Sequence, residues 1–133
     1  MSNLKQVQDM YTAFGRGDVP AILAKLSDDV IWEYGPNTTD VPWLQPRRGR
    51  AGAASFFEAL GALDFHKFQP TNFFESGKVV VALFDIDTTI KATGRRVIEQ
   101  DEVHIWHFDD TGRVARFRHR ADTHQHWLAF HGK

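Results

Sequence analysis

Beyond residue 63 the chain reads almost wholly as strand, and this half limits the fold most. The segments Phe65–Glu75, Val79–Ala92, Val97–Phe108 and Val114–Ala121 are rich in β-branched and aromatic residues. Between them stand "ESGK", "TGR" and "DDTG", with Gly77, Gly94 and Gly112 at the turn positions. Consecutive strands joined by such short turns pair as an antiparallel meander. A single sheet of this size buries neither face on its own, so the first half of the chain has to cover one of them.

That half supplies the cover. Leu4, Val7, Met10, Tyr11 and Phe14 form a helical stripe, with Asn3 and Gln6 as a capping box and Gly15 and Gly17 at its end. Asp18 suits the N-cap of a second, short helix with Pro20 in its first turn and Ile22, Leu23 and Leu26 inward. Val30–Tyr34 is a strand. "GPNTTDVPWLQPRRG", with three prolines, reads as a long surface loop, a length often associated with functional lids. Arg50–Leu63 is helical with Phe56, Phe57 and Leu60 buried, and a short helix capped by Asp122 with Gln125 closes the chain. Helices first and a meander afterwards make an α+β domain with helices packed on one face of a curved sheet. Residues 1–133 are read as one domain, since no linker, repeat or low-complexity tract interrupts them.

Composition removes several functions. The net charge of −1 gives no field toward nucleic acid or anionic membrane, and the run "RFRHRADTHQHW" therefore needs a local explanation. With no cysteine there are no disulfides, thiolate metal sites or thiol nucleophiles, and no apolar run is long enough to span a bilayer. A cytoplasmic protein without nucleic-acid or membrane partners is expected. The seven histidines invite a metal. However, no H-E-x-x-H appears, and no H-x-H strand pair with a third carboxylate does either. His124 and His126 fall roughly 200° apart around a helix. No metal and no cofactor are expected.

Strand parity decides which groups share a pocket. In Val97–Phe108 one set is Ile98, Gln100, Glu102, His104, Trp106 and Phe108; the other is Val97, Glu99, Asp101, Val103, Ile105 and His107. In the last strand Arg116, Arg118, Arg120 and Asp122 alternate with Ala115, Phe117, His119 and Ala121. Both sets are mixed in polarity, so hydrophobicity leaves the choice open, and so does the hairpin, which fits Phe108 opposite either Arg113 or Val114.

"YTAFGRGD", "LSDDVIWEY", "ESGKVVV", "EVHIWHF" and "TGRVARFRHRADT" occur in this order over nearly the whole chain. Together they resemble the NTF2-like superfamily, and within it the SnoaL-like and ketosteroid-isomerase-like proteins. The resemblance implies a cone-shaped barrel whose helices pack on the concave face of a curved sheet around a pocket. It also implies homodimerisation through the outer sheet face. It turns His104 and Trp106 inward, with Trp32 and Tyr34 on the first strand. With Phe108 opposite Val114, His104 then lies beside Arg118 and Glu102 beside Arg120. The expected catalytic groups are Asp122, His104 and Tyr34, with Trp32, Trp106, Glu102, Arg118 and Arg120 binding a small organic substrate. The ketosteroid isomerase residues themselves do not carry over, since its catalytic tyrosine position falls on Met10, one residue before Tyr11. The reaction implied is cofactor-free acid–base chemistry of the SnoaL-like type, as isomerase, cyclase or hydratase. The alternatives are a non-catalytic ligand-binding module and a dimerising interaction protein with a filled pocket.

Overall fold

The computed structural model describes residues 2–33 and 39–133. Helix α1 (Asn3–Gly15) and the short α2 (Val19–Leu23) lead into strand β1 (Leu26–Glu33). A two-residue strand β2 (Arg47–Arg48) precedes helix α3 (Gly49–Ala59). Strands β3 (Leu63–Ser76), β4 (Val79–Ile90), β5 (Arg96–Phe108) and β6 (Val114–Arg120) follow, and helix α4 (Thr123–Phe130) closes the fold. The sheet order is β2-β1-β6-β5-β4-β3. The meander from β3 to β6 is as expected, but the whole sheet is mixed and open, because β1 runs parallel to β6 at its far side. Pro70 sits in β3, an edge strand, beside a break in register between Pro70 and Asn72, a setting in which sheets tolerate proline.

α1 lies against β3 and β4, α3 against β1, and α4 against β5. Their apolar faces and the concave sheet face share one core, in which Met10, Trp32, Phe84 and Phe117 are all at most 2% exposed. β4 alternates cleanly, with Val80, Ala82, Phe84, Ile86, Thr88 and Ile90 buried in turn. Asp18 and Asp122 cap α2 and α4 as expected, accepting from the N–H groups of Ala21 and Gln125. The cap of α1 is Ser2 and not Asn3: the Ser2 hydroxyl accepts from the Lys5 N–H.

Two features depart from the sequence reading. The described part of the long loop lies only partly on the surface. Val41, Trp43 and Leu44 are at most 2% exposed, and the one-turn 3-10 helix Pro42–Leu44 inserts them into the core. The second departure is a pair of bulges in the last hairpin. β5 skips a register step between the pairs Phe84–Glu102 and Ile86–Glu99, and Asp101 there takes a left-handed backbone with φ of 57°. The Asp85 carboxylate accepts from the Asp101 N–H at 3.1 Å and holds the extra residue. Below the bulge Val97 and Glu99 face inward; above it Glu102, His104, Trp106 and Phe108 do.

β6 carries the other bulge. Phe108 pairs with Val114, one of the two hairpin alternatives, but His107 already pairs with Arg116, so Ala115 is the extra residue. One extra residue reverses every side chain beyond it. His104 therefore faces His119, while Arg118 and Arg120 pair with Ile105 and Val103 on the outer face. The expectation that Arg118 and Arg120 line the pocket is corrected on this ground.

Candidate functional site

Between the helices and the concave sheet lies a cavity of about 70 Å³. Its walls are largely aromatic. Tyr11 and Phe14 come from α1, Trp32 from β1, Phe56 and Phe57 from α3, Phe65 and Phe68 from β3, and Phe84 from β4. Its polar groups are few and gathered: Tyr11, Glu102, His104, His119 and His126. No lysine or arginine lines it among the described residues. A shallower concavity of about 390 Å³ lies outside, bounded in part by the same Tyr11, Phe14, Phe65 and Phe68.

Tyr11 is the centre of the first polar group. It projects from the same stripe as Val7, Met10 and Phe14, so helical geometry aims it at the sheet. Trp106 Nε1 donates to its hydroxyl at 3.2 Å, and His104 Nδ1 is hydrogen-bonded to the same oxygen at 2.5 Å. Burial pushes the Tyr11 hydroxyl well above its ordinary pKa, partly offset by the Trp106 bond. It therefore stays protonated at neutral pH. Burial holds His104 well below its ordinary pKa, with the neighbouring His119 adding to the effect, so the ring is neutral.

The second group couples β5, β6 and α4. Glu102 Oε1 is hydrogen-bonded to His119 Nε2, and Glu102 Oε2 is enclosed with no hydrogen-bond partner among the described residues. Burial pushes His119 down to about 3. Behind this pair, Trp43 Nε1 donates to His126 Nδ1 at 2.9 Å. A neutral ring that accepts at Nδ1 carries its proton on Nε2, and His126 Nε2 faces Glu99 Oε2 at 3.4 Å. Glu99 also accepts from the Asp122 N–H.

The expected site residues divide accordingly. Trp32, Glu102, His104 and Trp106 meet at the cavity. Tyr34 lies outside the described residues. Arg118 and Arg120 stand on the outer face. Asp122 is an exposed helix cap, its carboxylate 3.1 Å from the Gln125 N–H. Asp122→Ala is expected to cost about 1 kcal/mol of stability, the value of a lost cap. It should leave turnover unchanged, which kinetic assay and thermal melting of one variant would check together. Tyr11, Glu99, His119 and His126 were not among the expected site residues. Tyr11 stands within an apolar helical stripe, His119 belongs to the other parity, and Glu99 reaches the interior only because of the Asp101 bulge.

The family model for the SnoaL-like domain matches residues 7–117. The chain belongs to this family. The SnoaL-like fold, within the NTF2-like superfamily, recurs in solved structures that align with nearly the whole chain. An NTF2-like protein of unknown function from Burkholderia pseudomallei K96243 is 29% identical, with 94% of this chain and 95% of that one covered and a TM-score of 0.80. An NTF2-like protein from Burkholderia thailandensis E264 is 22% identical, covers 98% of both chains and has a TM-score of 0.85. TerC, co-crystallized with polyporic acid, is 25% identical over 97% of this chain and 95% of its own, with a TM-score of 0.75. No curated protein matches the sequence significantly. No helix among the described residues of this SnoaL-like chain is long and apolar enough to cross a membrane.

Proposed function

We propose that this SnoaL-like protein is an acid–base enzyme acting on a small, largely apolar organic molecule, and that Tyr11 is the hydrogen-bond donor to the substrate's reacting oxygen. The observation that carries the reading is the Tyr11 hydroxyl held from two sides, by Trp106 and His104, inside an aromatic cavity. With the His104 proton on Nδ1, both neighbours donate to the tyrosine oxygen and its own proton is left for the substrate. Two donors onto a phenol make that proton a stronger donor. A carbonyl oxygen placed there gains most as it turns into an enolate or alkoxide, because the donors are already oriented in a low-dielectric site. The Glu102–His119 pair, next to His104, forms the acceptor side of the cavity. The reaction class is isomerisation, aldol-type cyclisation or hydration. That TerC, a structural relative, was co-crystallized with polyporic acid supports an organic ligand for this cavity.

With no lysine or arginine in the lining among the described residues, a substrate carboxylate has no side-chain ion-pair partner, so a neutral carbonyl compound fits better than an acid. At about 70 Å³ the cavity is far below the roughly 300 Å³ at which ligand pockets begin. Turning Phe14 or Phe68 would join it to the outer concavity. This narrowness favours a second reading, a dimerising interaction protein with a filled pocket. The homodimer implied by the family would use the outer sheet face, where Val103 and Ile105 stand beside the arginines.

Incubation with a panel of small aromatic ketones and 1,3-dicarbonyl compounds in deuterated water separates these readings. Proton NMR should show catalysed loss of the α-hydrogen signal for at least one of them. Exchange no faster than in buffer for the whole panel, with no ligand raising the melting temperature, would leave the filled-pocket reading.

A further inference from the structure

Glu102, His104 and His119 each offer one ligand-type atom, and these atoms lie within 4.8 Å of one another. All three residues are at most 8% exposed. Their convergence follows from the bulge at Ala115: His104 and His119 are direct partners across β5 and β6, and Glu102 is the next inward residue on β5. The ligand set comes from two paired strands, so rigid elements fix it.

We propose that Glu102, His104 and His119 bind one divalent transition-metal ion, such as zinc or iron(II), at the polar end of the cavity. Two imidazoles and one carboxylate form a donor set that suits these ions and leaves coordination positions open toward the cavity. A metal 2.0–2.2 Å from each ligand holds neighbouring ligand atoms roughly 3 Å apart, within reach of the observed spacing by small side-chain rotations.

Charge supports the same site. Glu102 has no lysine or arginine partner among the described residues, and its enclosed Oε2 lacks any hydrogen bond there. A buried carboxylate in that state is stable only with a proton or a cation beside it. A second cluster, Glu99, Glu102 and His126, is equally compact. Trp43 donates to His126 Nδ1, which leaves the proton on Nε2 toward Glu99. His126 and Glu99 are thus supports behind the site and not ligands.

The inference rests on the Tyr11 reading in one respect, the tautomer of His104. If Nδ1–H donates to Tyr11, Nε2 keeps its lone pair for the ion, with Tyr11 as the outer partner that orients a ligating histidine. The site departs from the expectation of no metal because its three ligands are not neighbours in any sequence motif. They are assembled by strand register.

The test uses tag-free protein stripped with chelator and then titrated with zinc by calorimetry and with cobalt(II) by visible absorption. One ion per chain, visible d–d bands and a raised melting temperature are expected. Glu102→Gln and His119→Asn, each checked for folding by circular dichroism, should weaken binding by about tenfold or more. No uptake by the stripped protein overturns the proposal. So does uptake that survives both substitutions, which would assign the ion to surface histidines. Tyr11→Phe should retain the cobalt bands at saturating metal, with weakened affinity, even where it abolishes deuterium exchange. Tyr11-dependent exchange in protein that takes up no metal would refute the metal site and leave the proton-transfer reading standing.

Discussion

Tyr11→Phe is expected to lower turnover by roughly 10²–10³, the usual loss when one donor to a developing oxyanion is removed. The substitution deletes a single oxygen. The ring contacts with Phe68, Phe73 and Trp106, at centroid distances of 5.8–6.0 Å, have no reason to change. What disappears is the proton aimed at the substrate and the acceptor shared by Trp106 Nε1 and His104 Nδ1. Those two groups are left without a partner, so a stability cost of about 1–3 kcal/mol accompanies the kinetic one. The two effects separate in the kinetics. A hydrogen bond that strengthens as charge develops is lost from kcat, whereas a group that only positions ground-state substrate is lost from KM. Steady-state rates with whichever ketone shows exchange would read this directly. A variant that keeps its kcat and loses only melting temperature would reduce Tyr11 to a structural hydrogen bond.

The second large effect is on stability. Phe117→Ala should cost about 3–5 kcal/mol, as for other fully buried phenylalanines. Phe117 is 1% exposed and sits on the floor of the core. Its ring lies 4.1 Å from Trp32, 4.6 Å from Trp106 and 4.8 Å from His104, centroid to centroid. Neither tryptophan can move far to fill the space, because each also packs on other rings. A domain of this size has a total stability of about 5–15 kcal/mol, so the variant should melt on the order of 10–20 °C lower or fail to accumulate. Arg120→Ala, a few residues along the same strand but exposed, should change stability by no more than about 0.5 kcal/mol. Denaturant titration of the pair tests the parity of β6. Similar costs at both positions would contradict the bulge at Ala115.

The period of the apolar residues made the helices and the meander legible, and every expected strand is present with ends shifted by a few residues. Caps were legible where the side chain stood directly before a helix, as Asp18 and Asp122 do, and misassigned by one residue at Ser2. The buried loop was misread because its prolines signalled surface, although Val41, Trp43 and Leu44 already formed an apolar cluster among them. The site was only half legible. Glu102, His104, Trp32 and Trp106 follow from one inward face, which the family resemblance supplied. Tyr11 carries its hydroxyl on a residue that also suits a core, and a helical stripe does not reveal whether that oxygen has a partner. The arginine row failed for a topological reason. A one-residue bulge leaves no mark in composition, and both faces of β6 offered chemically reasonable pocket groups.

The bulge at Ala115 has a bearing on how such proteins diverge. Beyond it, Phe117 and His119 point in and Arg118 and Arg120 point out. Deleting one residue there would exchange the two rows without altering a single remaining side chain. A cavity without lysine or arginine in its lining among the described residues would gain a cationic wall suited to carboxylates or phosphates. In this architecture the chemical character of the binding site is written partly in the spacing of the chain, so a change of chain length by one can do what several substitutions would otherwise have to do.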